Sequence, residues 1–168
     1  MNMSKTLRRL LLPLLPAAAA AALVSTQALP AHAASTFDLR TAWDSGQCLQ
    51  PDSYYGLGTS VHEYGCGSHE WEIADVEDGA YRFVWLPSGG CLIPNWNRTA
   101  SPVVVTNGTN VCNNSNSQWR LNSLPDGHEQ FVNVASGLVL DYDISGANRG
   151  LQLWPALHDS NQDFYPTS

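Results

Sequence analysis

Histidine and carboxylate side chains are the residues of this chain that could do chemistry, and their spacing decides which chemistry is open to them. His62-Glu63 and His69-Glu70 resemble the start of a zinc-hydrolase motif, but neither pair is followed by a second histidine at helical spacing. Asp141 and Asp143 alternate as two cation ligands would, yet no third ligand follows them. We therefore predict no metal site, and we expect Asp143 to lie in a turn.

Signatures of catalysis are also missing from the sequence. It contains no Gly-x-Ser-x-Gly segment, which would expose a nucleophilic serine, and no Gly-Lys loop, which would bind phosphate. A glycosidase needs two carboxylates on either side of a cleft, a pair that sequence alone does not place. We predict a protein that is not an enzyme and that needs no cofactor.

Residues 1–33 have the organisation of an export signal. Lys5, Arg8 and Arg9 form a positive start, and an apolar run follows from Leu10 to Val24. This run is too short to cross a bilayer, which needs roughly 20 apolar residues. Ala31-His32-Ala33 provides the small residues of a cleavage site. We predict cleavage after residue 33 and a secreted, extracellular product that is not inserted in a membrane.

The remaining residues, 34–168, are enough for one domain and are strongly acidic. They carry all fifteen Asp and Glu residues against five arginines and no lysine, which gives a net charge of −10. Nucleic acids and anionic membranes are bound by Lys and Arg side chains that neutralise phosphates. We therefore expect neither as a partner, and a neutral ligand fits the charge better.

A segment that recurs three times organises this domain. The copies begin with a Ser-Gly dipeptide at Ser45, Ser88 and Ser136, and each ends in a polar run that closes with an aromatic residue. The closing runs are Ser68-His69-Glu70-Trp71, Asn116-Ser117-Gln118-Trp119 and Asn161-Gln162-Asp163-Phe164. A period of this length indicates a supersecondary unit repeated about an axis. The predicted repeats span about 36–78, 79–125 and 126–168.

Short apolar segments separated by Gly, Pro, Asn, Asp and Ser predict an all-β fold with four strands in each repeat. The predicted first and second strands are Phe37–Ala42, Tyr81–Leu86, Gln130–Val134, Cys48–Pro51, Cys91–Pro94 and Val139–Tyr142. The third and fourth are Ser60–Tyr64, Val103–Thr106, Leu151–Trp154, Trp71–Val76, Trp119–Leu124 and a short Phe164–Tyr165.

Four cysteines in an exported domain predict two disulfides, for which three pairings exist. The repeat selects the pairing that joins the start and the middle of one copy, Cys48 with Cys66 and Cys91 with Cys112. Their spacings do not suit a tetrahedral metal site. In the third copy Val139 and Ala156 occupy the matching positions, so we expect an apolar pair in place of a bridge.

The three Ser-Gly-x-Cys-Leu-like segments with Gln-x-Trp-like endings resemble the ricin B-type lectin domains, over essentially all of residues 34–168. The resemblance implies a β-trefoil, a six-stranded barrel capped by three hairpins with pseudo-threefold symmetry. It also implies that the closing aromatics Trp71, Trp119 and Phe164 are structural and lie in the shared core.

The resemblance further implies a galactose-type pocket in the third repeat, which matches all five family positions: Asp141, Gln152, Trp154, Asn161 and Gln162. Trp154 would stack on the apolar face of a sugar, and Asp141 would accept hydrogen bonds from two neighbouring hydroxyls. Asn161 would donate and accept, Gln162 would hold the carboxylate, and Gln152 would line the rim. Taken singly, Trp154 would be a core residue and Asp141 a turn residue; the complete set favours a sugar site.

The other two copies depart from this pattern. Repeat one has Gln50, His62, Tyr64, Ser68 and His69 at the five positions, which predicts a weaker second site at Gln50, Tyr64 and His69. Repeat two has Ile93, Gly108, Asn110, Asn116 and Ser117, and we predict no site there. Repeat three lacks a disulfide and ends in a short strand, so we expect a softer wall at Asn161 and Gln162.

Three functions are open at this point. The first is a secreted lectin module that binds galactose or N-acetylgalactosamine without catalysis, with a single-site affinity around millimolar, about −4 kcal/mol. The second is a targeting subunit for a separate catalytic partner in a toxin or glycosidase complex. The third is a protein-binding trefoil such as a protease inhibitor, because this fold supports that role as well.

Overall fold

The computed structural model describes residues 36–54, 58–67, 70–106, 111–146 and 150–167. The predicted export signal lies outside these residues, as do Ser68, His69, Gly108 and Asn110. None of the described residues belongs to a helix long and apolar enough to span a bilayer.

Twelve strands form within the described residues, four in each predicted repeat. Repeat one contains β1 (Thr36–Thr41), β2 (Gln47–Pro51), β3 (Thr59–Gly65) and β4 (Trp71–Asp75). Repeat two contains β5 (Tyr81–Trp85), β6 (Gly90–Pro94), β7 (Val103–Thr106) and β8 (Trp119–Ser123). Repeat three contains β9 (Glu129–Asn133), β10 (Val139–Tyr142), β11 (Leu151–Trp154) and β12 (Phe164–Thr167). Single 3-10 turns cover Glu77–Gly79 and Ser115–Ser117.

Six of these strands close into a barrel. Antiparallel ladders connect β1 to β4, β4 to β5, β5 to β8, β8 to β9, β9 to β12 and β12 back to β1. A closed ring leaves no free edge in the barrel itself. The first and fourth strands of each repeat therefore make the barrel, as the resemblance implied.

The second and third strands of each repeat form hairpins that cap the barrel: β2–β3, β6–β7 and β10–β11. The hairpins also contact one another, because β3 pairs with β7 and a bridge joins Pro102 to Gln152. This arrangement is a β-trefoil, and it confirms the predicted fold class.

The core is built from aromatic residues that point into the barrel. Trp71, Trp119 and Phe164 are at most 1% exposed, which confirms that the closing aromatics are structural. Phe131 packs between Phe83 and Phe164, with ring centroids 4.6 and 5.2 Å away. Truncating a buried aromatic of this kind costs about 3–5 kcal/mol. The shared core is therefore what holds the three repeats in place.

The two tryptophans also fasten the hairpins to the barrel. The indole N–H of Trp71 donates to the carbonyl of Leu49 at 2.7 Å, and that of Trp119 donates to the carbonyl of Leu92 at 3.2 Å. Each bond satisfies a buried polar group on the second strand of the same repeat. Phe164 has no such donor, so repeat three relies on other contacts.

The disulfides Cys48–Cys66 and Cys91–Cys112 are formed, which confirms the predicted pairing. The matching pair in repeat three differs from expectation, because Val139 is buried whereas Ala156 is exposed. Ala156 lies in an exposed loop after β11, so the expectation that an apolar pair replaces the bridge was wrong.

The last strand is longer than predicted. β12 pairs with β1 over four residues, from Phe164 opposite Thr41 to Thr167 opposite Asp38. Proline usually argues against a continuing strand because it donates no hydrogen bond to the ladder. Here β12 pairs with its other neighbour, β9, only at Phe164, so Pro166 is tolerated. The strand that anchors the segment carrying Asn161 and Gln162 is therefore not short.

Candidate functional site

An open pocket of about 470 Å³ lies beside the third hairpin, where β10, β11 and the segment before β12 meet. Four of the five predicted residues line it: Asp141, Gln152, Trp154 and Asn161. The fifth, Gln162, is fully buried behind them. The structure thus brings all five together in one place.

The hairpin register explains the grouping. Asp141 lies directly opposite Gln152, and Val139 lies opposite Trp154. Residues two apart on a strand share a face, so Gln152 and Trp154 project on the same side of β11. Trp154 is half-buried, which leaves part of its ring open to a ligand.

Three side-chain amides donate to the carboxylate of Asp141. Gln152 Nε2 lies 2.8 Å from Oδ1, while Asn161 Nδ2 and Gln162 Nε2 each lie 2.9 Å from Oδ2. A carboxylate offers about four acceptor positions, so about one remains, on the side of Oδ1. The sequence predicted the contact with Gln162 and placed Gln152 only at the rim, whereas Gln152 also holds the carboxylate.

Gln162 connects this carboxylate to the loop after β11. Its Nε2 also donates to the carbonyl of Pro155 at 3.0 Å, and its Oε1 accepts the N–H of Leu157 at 2.7 Å. A fully buried amide with all these partners fixes both the loop and the orientation of Asp141. These hydrogen bonds hold the loop of repeat three in place, whereas a disulfide links the start and the middle of each of the other two repeats.

Asp141 is only 3% exposed, and burial raises the pKa of its carboxyl above the ordinary value of 3.8. Hydrogen bonds from Gln152 and Gln162 oppose this rise in the pKa, and the nearby charge of Asp143 adds to it. The side chain therefore sits in a setting where a charged hydrogen bond to a ligand is strong, because little water competes for it.

Repeat two supplies one wall of this pocket through Ala100. The backbone N–H of Ala100 donates to the carbonyl of Leu153 at 2.8 Å, and the N–H of Leu153 donates to the carbonyl of Ser101 at 2.9 Å. The sequence of repeat three alone does not predict this wall. No pattern within a single repeat carries that information, since the contact depends on how neighbouring hairpins meet.

Repeat one has a second, more open depression of about 310 Å³, lined by Gln50 and Tyr64 among others. It contains a carboxylate outside the predicted set, Asp52, whose Oδ1 accepts a hydrogen bond from the Tyr64 hydroxyl at 2.9 Å and lies 2.9 Å from His62 Nδ1. The hydrogen bond to Asp52 raises the pKa of the Tyr64 hydroxyl. The predicted third member, His69, lies outside the described residues. Asp52 lies two residues after Gln50, and this spacing in the sequence could have identified Asp52 as a neighbour of the predicted second site.

In repeat two the register corrects the predicted positions. Ile93 lies opposite Val104, and Cys91 lies opposite Thr106, so Val104 and Thr106 correspond to Gln152 and Trp154. The assignment of Gly108 and Asn110 to these positions was wrong, because it placed the equivalents four residues beyond the strand pairing. The corrected positions still offer no carboxylate and no aromatic ring.

Two features bear on metal binding. Among the residues that the structure describes, the single group with suitable ligand geometry is Asp38 with Cys48 and Cys66, and both cysteines are used in a disulfide. Asp143 closes a turn, its Oδ1 accepting the N–H groups of Ser145 at 3.2 Å and Gly146 at 2.6 Å. This is the turn role expected for Asp143.

The closed six-stranded barrel, the three hairpins and the carboxylate-and-tryptophan pocket define a β-trefoil of the lectin type. Residues 67–154 match the family model described as ricin-type beta-trefoil lectin domain-like. The chain belongs to that family, and the family and fold support a carbohydrate-binding module. A search of curated proteins found no match.

Solved structures share the fold at low sequence identity. The designed three-fold symmetric protein ThreeFoil is 24% identical, with a TM-score of 0.69 over 79% of this chain and 97% of its own. The Rhizoctonia solani agglutinin is 16% identical, with a TM-score of 0.66 over 84% of this chain and 99% of its own. An exo-beta-1,3-galactanase from Clostridium thermocellum is 17% identical, with a TM-score of 0.68 over 78% of this chain but only 29% of its own.

Proposed function

We propose that this protein is a secreted lectin module that binds a galactose-type sugar, galactose or N-acetylgalactosamine, in the pocket of repeat three. The observation that supports this proposal best is the Asp141 carboxylate, held by three amides at the base of an open pocket that also exposes part of Trp154. A binding site needs such a fixed polar group beside an apolar surface.

The sugar would contact two surfaces of different chemistry. One face of a pyranose presents C–H groups, which pack on the ring of Trp154 with little loss of conformational entropy. The hydroxyl rim turns toward Asp141, whose Oδ1 retains an open acceptor position. A second hydroxyl gains a place at the carboxylate if the amide of Gln152 moves aside, since Gln152 is half-buried and lines the rim.

Specificity would come from the fixed orientation of the carboxylate. Gln162 and Asn161 hold Oδ2 from behind, so Asp141 reaches hydroxyls only in one direction. An epimer that places a hydroxyl elsewhere would leave a buried acceptor unpaired, which costs about 1–3 kcal/mol. This difference is large enough to distinguish galactose from glucose.

Repeat one is proposed as a weaker second site built from Gln50, Tyr64 and His69, together with Asp52. Tyr64 is 42% exposed and offers an aromatic face, but its hydroxyl is bonded to Asp52. A sugar hydroxyl would therefore have to compete with the Tyr64 hydroxyl for the Asp52 carboxylate. We propose no site in repeat two.

The galactanase comparison favours one further role, that of a targeting subunit. The trefoil region corresponds to 29% of that enzyme chain, so a similar domain occurs there beside other parts of a glycoside-cleaving enzyme. A separate catalytic partner is accordingly proposed as the second candidate, and affinity purification from the native source would detect it. The protease-inhibitor alternative has no comparable observation in its favour.

The test is calorimetric titration of residues 34–168 with galactose, N-acetylgalactosamine and glucose, run beside Asp141→Ala. We expect weak binding of the first two sugars, around millimolar, and loss of that binding in the variant. Asp126→Asn, in the exposed turn between β8 and β9 and outside the pocket lining, is the matched control and should bind as the parent does.

Two results would contradict the proposal. One is that the folded parent protein binds none of the sugars when the sugars are immobilised at high density on a glycan array. The other is full retention of galactose binding by Asp141→Ala with an unchanged far-UV spectrum. The first would favour a protein-binding role, and the second would place the site elsewhere.

A further inference from the structure

We propose that the turn at residues 96–101 of repeat two is a second subsite beside the Asp141 pocket, and that it binds the carboxylate of an acidic sugar. This inference rests on the proposed function, because the acidic sugar would be the neighbour of the galactose-type sugar in the pocket. The oligosaccharide would thus span two repeats.

The turn lies at the edge of the pocket. Ala100 lines the pocket itself, and Arg98 is two residues away along the chain. Two residues of even a fully extended chain span no more than about 7 Å, so the backbone of Arg98 lies within one sugar's length of the pocket wall. The carbonyl of Arg98 accepts the N–H of Ser101 at 3.2 Å, which closes the turn.

Several contacts hold this turn in place before any ligand arrives. Ser101 is fully buried, and its Oγ accepts the N–H of Trp96 at 2.9 Å. Asn97 Nδ2 donates to Asn116 Oδ1, also at 2.9 Å, which ties the turn to the rest of repeat two. A site whose backbone is already ordered loses little entropy on binding.

The exposed side chains of the turn suit a carboxylate. The guanidinium carbon of Arg98 lies 5.2 Å from the ring centroid of Trp96, which is 46% exposed. Stacking on a ring orients the guanidinium plane and leaves its N–H edges free for a bidentate bond to a carboxylate. Within the described parts of the chain, no acidic side chain forms an ion pair with Arg98.

Charge around the pocket gives the ligand one orientation. Asp141, Asp143 and Asp159 line the pocket, and no described lysine or arginine does. An acidic sugar is disfavoured among these carboxylates and favoured at Arg98, whereas a neutral sugar is accepted in the pocket. The neutral residue of the oligosaccharide therefore lies at Asp141 and the acidic residue at Arg98.

The test compares oligosaccharides that differ in one carboxylate. Galactose carrying glucuronic acid through its 3- or 6-hydroxyl is titrated beside the carboxyl-reduced forms of the same disaccharides, and sialylated lactose is titrated beside its own carboxyl-reduced form. We expect at least one acidic member to bind about two- to fivefold tighter than its neutral partner, as an exposed ion pair allows. The pair that shows the preference tells a uronic acid from a sialic acid.

Arg98→Gln should abolish the preference, and Arg120→Gln, which changes an exposed arginine on β8, should keep it. High salt should reduce it, because salt screens exposed charges. Equal affinity within every pair, or a preference that survives Arg98→Gln, would overturn the inference while leaving galactose binding intact. Absence of binding for every sugar, galactose included, would overturn this inference and the proposed function together.

Discussion

Repeats one and three hold their hairpins in place with different kinds of bond. In repeat one Cys48–Cys66 fastens the hairpin, and the carboxylate of Asp52 lies in an open depression. In repeat three no disulfide is present at the matching positions, and the buried carboxylate of Asp141 ties β10 to Gln152, Asn161 and Gln162.

Under the proposed function, one group is both a structural tie and a recognition element. Asp141 accepts hydrogen bonds from three amides, which orders the pocket, and its Oδ1 retains an acceptor position for a sugar hydroxyl. Asp52 is bonded to Tyr64 and His62, the very side chains that a ligand would contact. The disulfide stabilises repeat one without orienting a carboxylate, whereas the amide network of repeat three both holds the loop after β11 and fixes the orientation of Asp141.

Removing the bridge of repeat one should have the largest effect on stability. The double variant Cys48→Ala/Cys66→Ala opens a loop with a sequence separation of 18 and should lower the free energy of unfolding by about 3 kcal/mol. Urea denaturation measures this loss. Galactose affinity of the folded variant should stay unchanged; a parallel loss of affinity would mean that the two repeats are not independent.

Removing the central amide of repeat three should come next. Gln162→Ala leaves Asp141, the carbonyl of Pro155 and the N–H of Leu157 each short of a partner, at a cost of about 2 kcal/mol. The same denaturation assay reports it, and sugar affinity should fall as well. Ser117→Ala, at the matching position of repeat two, is the control and should leave sugar affinity unaffected.

Truncating the two aromatic faces compares the pockets directly. Trp154→Ala should weaken galactose binding about tenfold, because stacking on the ring is lost. Tyr64→Ala should change the total heat of binding by less than about twofold, since repeat one is the weaker site. Calorimetry on both variants measures these effects, and the reverse order would assign the main site to repeat one.

Lowering the pH should have opposite effects on sugar binding and on stability in repeat three. Burial raises the pKa of Asp141, so the folded protein takes up its proton more readily than the unfolded chain. As the pH falls through this raised pKa, sugar binding is lost while the contribution of Asp141 to stability increases. This change in stability is the smallest of the four effects. The measurements are affinity and melting temperature, each taken as the difference between the parent and Asp141→Asn. The difference is needed because burial also raises the pKa of Glu63 and of Asp163, which titrate in both proteins.

Most of the fold could be predicted from the sequence because it repeats. The strand positions follow from short apolar segments, and the recurring Cys positions identified both bridges. The resemblance to the ricin B-type lectin domains identified the five residues of the Asp141 pocket, because all five lie within one repeat at the family spacings. The predicted positions Gly108 and Asn110 in repeat two were wrong, because they lie beyond Thr106, where the pairing of β6 with β7 ends.

What the sequence did not reveal depends on which side chains and which neighbouring hairpins pack together. Ala100 reaches the pocket of repeat three only because its turn pairs with β11 through Leu153 and Ser101. Asp52 becomes important because Tyr64 and His62 both turn toward it. Spacing along the chain places Asp52 near Gln50 but does not show these contacts, which arise from how side chains and neighbouring hairpins pack.

The ladder between β1 and β12 has a consequence for how the chain folds. It pairs residues about 130 positions apart, so the barrel is complete only when the two ends of the described chain meet. Closing so large a loop is slow, and folds dominated by such distant pairings reach the native state in milliseconds to seconds. Until Phe164 docks, β1 presents an unpaired edge to other molecules.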